Sequence, residues 1–285
     1  MRTFIHGILT FALPFFITGC ESNVTDVRLP EYRPKLVIAA FLSPTDTLNS
    51  IQIGSTMRIY GDQYDFESPG KYSGTISDGI REVNLDTSKF GLKIDPQKMR
   101  IEYGMTYHMR IITDKDYIAE SSCTIPLKRT FSIQADTASV PDPQYSEHGR
   151  LEVRTLFTDP AGEENHYRLQ VLLKTYSKNS YPGTGWIVRN LRVKDHLFSD
   201  KNLDGKDLVR YTESAINYMM NSDSVRIIVR LYNTEKSYYL YHKSIDNYKG
   251  GDNPFSEATP IFSNITGGLG IFTSYTVDSA VVKIK

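Results

Sequence analysis

The chain has 285 residues, with 33 lysines and arginines balanced by 33 aspartates and glutamates. A net charge near zero argues against a nucleic-acid partner and gives no electrostatic case for binding a polyanion. The length allows one large domain or two smaller ones, and either can bury a proper core.

The first twenty residues, "MRTFIHGILTFALPFFITGC", have the layout of a secretory signal, with a basic residue, an apolar run and small residues before a cysteine. The apolar run is too short to span a bilayer comfortably. The ending "ITGC" resembles the lipobox of bacterial lipoproteins, which implies cleavage before Cys20 and acylation of that residue, with palmitate among the acyl chains. We therefore predict a lipoprotein signal peptide at 1–19 and a lipid anchor on Cys20. The alternative is an ordinary signal peptide with a cysteine near its cleavage site.

Residues 20–34 are polar, contain two prolines and show no hydrophobic period, which predicts a lipidated tether. From residue 35 to residue 126, turn signals separate short runs with the strand period, such as "KLVIAAFLS", "NSIQIGSTMRIY", "MTYHMRIIT" and "DYIAESSCTIP". The last two runs are linked by "DKD" and predict a hairpin. Short strands at this spacing, without a convincing helix, predict an N-terminal immunoglobulin-like β-sandwich over 35–126.

Cys123 is the second of the two cysteines, and it lies in the last of those runs. With Cys20 lipidated, no partner is left for an intramolecular disulfide. No histidine or basic cluster near Cys123 in the sequence would lower the pKa of its thiol. We expect a buried thiol in a strand rather than a nucleophile.

Residues 127–285 predict a second, C-terminal β-rich domain. Its strongest strand candidates are "RLEVRTLFTD", "HYRLQVLLKTYS" and "SVRIIVRLY", and the closing segment "TPIFSNITGGLGIFTSYTVDSAVVKIK" predicts up to three strands with tight turns. The chain as a whole is thus predicted to be mainly β, with two antiparallel β-sandwich-like units.

One helix is predicted near residues 234–248. Four large side chains share one face of it at spacings of three and four: Tyr238, Tyr241, Ile245 and Tyr248. Gly250 and Gly251 would end the helix. The stripe either packs the helix onto a sheet or forms a stacking platform for a ligand.

The segment "DKNLDGKDL" contains the first half of a calcium-binding loop, with candidate ligands at Asp200, Asn202 and Asp204 and a glycine at 205. The twelfth position should supply a bidentate glutamate, but it is Tyr211. Calcium is therefore the one cofactor that the sequence suggests. The alternative is a solvated Asp-Gly turn.

Paired carboxylates in "TDPAGEEN", at Asp159, Glu163 and Glu164, would support acid–base chemistry if they faced one another. A polar turn is the simpler interpretation. The sequence has no G-x-S-x-G elbow, no H-E-x-x-H motif and only scattered histidines. We therefore expect a protein that is not an enzyme.

The segment "SNITGGLGIF" places Gly267, Gly268 and Gly270 close together. A phosphate-binding glycine loop should open a helix, whereas the residues that follow here favour a strand. The sequence predicts a hairpin with a glycine turn.

The segments "RLEVRTLFTDPAGEENHYRLQV", "HLFSDKNLDGKDL" and "NPFSEATPIFSNITGGLGIFTSY", in this order behind a lipobox, resemble the family known as domain of unknown function 4249. Its members are lipoproteins of Gram-negative outer membranes, often encoded beside TonB-dependent transporters. The resemblance implies a largely β outer-membrane lipoprotein, and it carries no established reaction and no agreed catalytic residues.

These observations predict an outer-membrane protein anchored through Cys20, with a non-enzymatic binding or accessory role beside a TonB-dependent barrel in nutrient capture or uptake. Glu21 and Asp26 are compatible with export to the cell surface, which we favour over the periplasm. Two alternatives stay open: a surface hydrolase acting on a glycan or a peptide, and a structural or adhesive surface protein.

Overall fold

The computed structural model describes residues 33–57, 68–141, 150–178, 185–215, 222–248 and 259–284. The predicted signal peptide, Cys20 and all but the last two residues of the predicted tether lie outside these ranges. Pro34–Lys285 form one compact unit. Within the described ranges, no helix is both long enough and apolar enough to cross a membrane.

The prediction of a mainly β chain with one helix is confirmed. Helix α1 spans Lys236–Asn247, inside the predicted range. The described residues form these strands: β1 (Leu36–Leu42), β2 (Ser50–Ser55), β3 (Tyr72–Ser77), β4 (Glu82–Asn84), β5 (Asp86–Ser88), β6 (Gly91–Lys93), β7 (Thr106–Thr113), β8 (Ile118–Thr124), β9 (Gln134–Val140), β10 (Arg150–Thr158), β11 (His166–Ser177), β12 (Gly185–Val193), β13 (Leu197–Ser199), β14 (Asp207–Ala215), β15 (Ser224–Thr234) and β16 (Gly268–Lys283).

The strands form two sheets. A twelve-stranded sheet has the order β5-β6-β2-β1-β16-β15-β11-β12-β14-β10-β9, with β13 paired to β11, and a four-stranded sheet has the order β4-β3-β7-β8. The predicted hairpin of β7 and β8 is present, with Ile112 opposite Ile118. The large sheet is mixed rather than purely antiparallel, because β1 pairs in parallel with β16.

The first core lies between the four-stranded sheet and one end of the large sheet. Alternate residues of β1 are buried, as expected for a strand with one face in a core. The cluster includes Ile38 of β1, Ile111 of β7 and Cys123 of β8, together with Ile265 and Phe272 from the end of the chain. The first core is therefore completed by residues from the end of the chain, outside the range 35–126 predicted for the N-terminal sandwich.

Strand β16 is a single strand of sixteen residues, so the closing segment forms one strand, without the tight turns that were predicted between up to three strands. Its first half, from Gly268 to Ser274, pairs with β1. Its second half, from Tyr275 to Lys283, pairs with β15. Extended backbone is favoured along the whole length because each half has a partner strand. One strand thus joins the two predicted halves of the chain in one sheet.

The predicted glycine hairpin is also wrong, since no strand precedes Gly268 in the segment 259–267. Thr266 forms an isolated bridge with Glu120 of β8. A Cβ atom would lie 2.0 Å from the Ile118 carbonyl oxygen at Gly267 and 1.9 Å from the Ile38 carbonyl oxygen at Gly270. The glycines are needed because the backbone approaches β8 and β1 closely there.

The second core is formed by side chains of the strands from β10 to β15. It contains Val153, Leu169 and Val229, and its centre is occupied by aromatic rings. The ring of Tyr167 lies 5.2 Å from that of Phe157 and 5.6 Å from that of Phe198, between centroids. Contacts of this kind stabilise the core by about 0.5–1.5 kcal/mol per aromatic pair beyond the burial of their area.

Two groups, the buried thiol of Cys123 and the half-buried carboxylate of Glu235, contact β8 where it meets the rest of the fold. Cys123 is 1% exposed in β8, as predicted, and burial raises the pKa of its thiol well above the ordinary value. Glu235, just before α1, accepts hydrogen bonds from the Thr124 N–H at 3.1 Å and from the hydroxyls of Ser237 at 2.8 Å and Thr273 at 3.0 Å. This carboxylate connects the start of the helix to both sheets.

Candidate functional site

The predicted calcium motif forms the turn between β13 and β14. Asp200 and Asp204 each bring a carboxylate oxygen into one cluster with Asp159, and these oxygens lie within 4.8 Å of one another. Asn202 has a left-handed backbone, with φ of 68°, as expected in a tight turn. Asp207 is turned away, because its carboxylate accepts a hydrogen bond from the Thr158 hydroxyl at 2.7 Å.

The carboxylates of this cluster connect two loops. Asp159 accepts hydrogen bonds from the hydroxyl of Tyr167 and, at 3.0 Å, from the N–H of Gly205. Asp200 accepts a hydrogen bond from the N–H of Asn165 at 2.9 Å, and Asp204 accepts one from the N–H of Gly162 at 2.9 Å. Burial raises the pKa of Asp159, and the hydrogen bond from Tyr167 partly offsets this effect.

Calcium binding at this cluster stays a prediction. Calcium prefers six to eight oxygen ligands, and three converging carboxylates would supply a part of such a set. If the ion binds, titration calorimetry will show saturable heat and the melting temperature will rise with calcium. Asp204→Asn should weaken the binding because it removes the charge of one of the three converging carboxylates, whereas Asp207→Asn should leave it unchanged because Asp207 is outside the cluster. Absence of both heat and thermal shift would remove the calcium hypothesis.

The three predicted acid–base carboxylates each have a different partner in the structure. Asp159 is buried against Tyr167. Glu163 forms an ion pair with Arg129. Glu164 lies 3.2 Å from the Lys236 ammonium, which lowers the pKa of that carboxyl. Glu163 and Glu164 line one pocket together with Arg129 and Lys236, and each of them is paired with one of these cations. Asp159 is not among the lining residues of that pocket.

The predicted stripe on α1 is only partly a packing face. Tyr238 is 4% exposed, whereas Ile245 is 41% and Tyr248 is 45% exposed. Instead of Ile245, His242 completes the inner face, and its ring stacks on that of Tyr238 with centroids 4.1 Å apart. The stripe identified Tyr238 and Tyr241 correctly, since both rings contact that of Phe41, but the contact face is rotated from Ile245 toward His242.

An aromatic pocket of about 310 Å³ lies between α1 and the large sheet, and its lining is Phe41, Arg168, Gln170, Tyr232, Tyr238, His242 and Tyr275. The ring of Phe41 contacts that of Tyr238 edge to face at 5.6 Å. The rings of Tyr232 and Tyr275 lie 5.4 Å apart on the neighbouring strands. These contacts hold the walls of the pocket in place.

The polar groups of the aromatic pocket are also positioned. A guanidinium N–H of Arg168 donates to the Tyr238 hydroxyl at 2.8 Å, and the Tyr232 hydroxyl donates to the side-chain oxygen of Gln170 at 3.1 Å. Burial raises the pKa of Tyr238, although Arg168 partly opposes this effect. Burial also lowers the pKa of His242, which favours a neutral ring. The pocket thus presents one fixed cation among neutral aromatic groups.

An open cleft of about 1110 Å³ adjoins the aromatic pocket and shares Arg168 and Gln170 with it. The cleft lies where β12 stops pairing with β11, at Leu191, and pairs with β14 through Arg192 and Val193. The divergence of the two strands creates the space. His196 and Asp246 form a pair inside it, with Nε2 3.4 Å from a carboxylate oxygen.

The sequence indicated only one wall of this site, through Tyr238. Arg168, Gln170 and Tyr232 alternate with buried residues in β11 and β15, so their exposure on one face follows from the strand period. Their proximity to Phe41 and Tyr275 depends on pairings between strands that are distant in the sequence. No local motif could have revealed these pairings.

Comparison with known proteins identifies one family. A search of curated proteins finds no match to the chain. The family described as "Domain of unknown function (DUF4249)" matches residues 23–280, which include every described strand except the last three residues of β16. The chain therefore belongs to the DUF4249 family, as its sequence resemblance indicated.

Proposed function

We propose that the protein is an outer-membrane lipoprotein, anchored through Cys20 and facing the cell surface, that binds a ligand and works with a TonB-dependent transporter in nutrient capture or uptake. The anchor rests on the lipobox-like "ITGC", and the transporter rests on the family resemblance. The observation that carries the binding role is the aromatic pocket, which continues through Arg168 and Gln170 into the open cleft.

This site has the general features of a binding site. It is concave and rich in aromatic groups, and it has a small number of oriented polar groups. Arg168 and Gln170 are held by hydrogen bonds to Tyr238 and Tyr232, so a ligand would not have to order them. The aromatic pocket suits one ring-sized group, and the open cleft leaves room for the rest of an extended ligand.

A surface hydrolase is the second candidate, and one observation favours it. His196 and Asp246 form a pair in the open cleft, and a histidine oriented by a carboxylate is a common general base. The buried cluster of Asp159 and Asp200 does not support such an enzyme, because both residues are 2% exposed. Release of reducing ends or amines from surface polymers would identify a hydrolase.

The transporter partnership is tested by affinity purification of the lipidated protein from its native outer membrane after mild cross-linking. We expect a TonB-dependent barrel to co-purify. Cys20→Ser should abolish lipidation, move the protein out of the membrane fraction and remove the barrel from the purified material. A lipidated protein that brings down no barrel would contradict the transporter role, and a Cys20→Ser protein that stays in the membrane would contradict the anchor.

A further inference from the structure

The large sheet has an open face opposite the second core. Alternate residues of the adjacent strands β12, β11, β15 and β16 form this surface. The name open face is used below for these residues. The strand period is clear in β15, where Val225, Ile227 and Val229 are buried while Arg226 and Arg230 are exposed. Arg168, Gln170 and Tyr232 of the aromatic pocket belong to the same face, at the end near α1.

Three cations lie side by side across the open face. Lys174 of β11 is directly opposite Arg226 of β15, and Arg226 is directly opposite Lys283 of β16. Neighbouring strands are about 4.8 Å apart, and like charges directly opposite one another destabilise a sheet. Among the described residues, none of the three forms an ion pair. We call these residues the cation row.

The other described residues of the open face do not neutralise the positive charge of the cation row. Arg168 and Arg230 add two more positive charges, and the described open-face positions of the four strands contain no aspartate or glutamate. The nearest acidic residue in sequence is Asp223, which precedes β15, and its carboxylate accepts the N–H of Lys178 at 2.7 Å. The net charge of the whole chain is near zero, although the positive charges are concentrated on this face.

The single tryptophan of the chain lies beside the cation row. Trp186 is 41% exposed, and its ring centroid is 4.7 Å from the Lys174 ammonium and 5.0 Å from the Arg226 guanidinium carbon. The ring of Tyr176 lies 5.3 Å from it. Asn190 and Gln170 are joined by a hydrogen bond of 2.9 Å further along the face. Cations, exposed rings and side-chain amides thus alternate along one surface.

We propose that the open face binds an acidic polysaccharide, with its carboxylate or sulfate groups on the cation row and a sugar ring against Trp186. Guanidinium and ammonium groups form strong charge-assisted hydrogen bonds with such anions, and the anion removes the repulsion within the row. Asn190, Gln170 and the aromatic pocket offer hydrogen bonds and ring contacts to further sugars. The inference rests on the proposed binding function and names the class of its ligand.

An anionic membrane fits the open face less well than a polymer does. Strand β16 is sixteen residues long, so Lys283 lies about 50 Å from Gly268 at roughly 3.3 Å per residue. Leu36, where the chain enters from the proposed anchor, pairs with Gly268 at the opposite end of that strand. The cation row is therefore remote from the point at which the lipid anchor joins the folded domain.

The test uses the full-length lipidated protein in detergent, with calorimetric titration of three probes. Dextran sulfate and dextran share one backbone and differ in charge, and polygalacturonate supplies carboxylates in place of sulfates. We expect binding to one or both acidic polymers, weakening with salt, and no binding to dextran. The row variant, which combines Lys174→Gln, Arg226→Gln and Lys283→Gln, should weaken binding by about tenfold or more, and Trp186→Ala should weaken it by a similar factor.

Lys89→Gln is the matched control, because the Lys89 ammonium lies 5.1 Å from the ring centroid of Phe90, outside the open face. This variant should bind like the wild type. The row variant should melt no lower than the wild type, because it removes like-charge repulsion. That result separates loss of binding from loss of fold.

Several outcomes would overturn the inference. They are failure of the wild type to bind either acidic polymer, binding unchanged in the row variant, or, in parallel titrations, tighter binding to single-stranded DNA, an acidic peptide or phosphatidylglycerol in mixed micelles. The transporter proposal is tested independently of the ligand. If no barrel co-purifies with the protein, the transporter role is contradicted, and the results of these titrations are not affected. Conversely, a co-purifying barrel without glycan binding would remove only the ligand class.

Discussion

Replacing Gly270 with alanine is expected to destabilise the protein by about 3 kcal/mol or more, measured by urea denaturation followed by circular dichroism. Gly270 has φ of 110°, which a residue with a Cβ atom rarely adopts, and the added Cβ would lie 1.9 Å from the Ile38 carbonyl oxygen. Ile38 is the register partner of Gly270 in the parallel pair of β1 and β16. The substitution must therefore separate the strands that connect the two cores.

Two other glycines provide matched controls for this prediction. Gly79 also has positive φ, 87°, but a Cβ there would meet nothing within 4 Å, so Gly79→Ala should cost only about 1 kcal/mol. At Gly54 a Cβ also has open space and the backbone requires no left-handed conformation, so Gly54→Ala should be close to neutral. If Gly270→Ala costs no more than Gly79→Ala, close approach to β1 is not the reason for glycine at that position.

Tyr167→Ala is the second large effect that we expect, at about 3–5 kcal/mol of unfolding free energy. The side chain is 0% exposed, and its ring contacts those of Phe131, Phe157 and Phe198. Removing it leaves a cavity at the centre of the second core. It also leaves Asp159 buried without the hydroxyl that donates to it.

Tyr167→Phe separates these two contributions. It keeps the ring and removes only the hydroxyl, so we expect a loss of about 1–3 kcal/mol at neutral pH. A phenylalanine variant as unstable as the alanine variant would show that the hydrogen bond, and not the packing, dominates. A variant as stable as the wild type would show that the bond to Asp159 contributes nothing.

The loss in Tyr167→Phe should depend on pH. Burial raises the folded-state pKa of Asp159 above its ordinary 3.8, and the Tyr167 hydroxyl holds it down, so removing the hydroxyl should raise it further. The folded variant then binds more protons than its unfolded chain just above pH 3.8, and its stability falls as pH rises through the folded pKa. The difference between variant and wild type should therefore shrink as the pH is lowered toward 4.

Local patterns predicted the elements well where period and turn chemistry act over a few residues. The alternation in β1, the hairpin of β7 and β8 and the position of α1 all follow from neighbours in the sequence. The closing segment was mispredicted because its glycines signal a turn when considered alone. They are explained by contacts with Ile38 and Ile118, which are far away in the chain.

The candidate site shows the same division. The sequence named Asp200 and Asp204 for one hypothesis and Asp159 for another, and the structure places the three in one cluster. Glu163 and Glu164, which are adjacent in the sequence, pair with different cations, Arg129 and Lys236. A carboxylate pairs with the hydrogen-bond donors or cations that lie near it in the folded structure. The spacing of residues along the chain does not identify those partners.

By itself, the sequence determined the family, the mainly β class and most strand positions of this protein, since these depend on composition, local period and characteristic segments. Only the tertiary structure decided that β16 joins both cores, that Phe41, Arg168 and Tyr275 share one pocket, and that Lys174, Arg226 and Lys283 lie in a row. The register between distant strands sets these neighbours, and it depends on burial and pairing over the whole sheet. A net charge of zero therefore says nothing about which charges lie side by side.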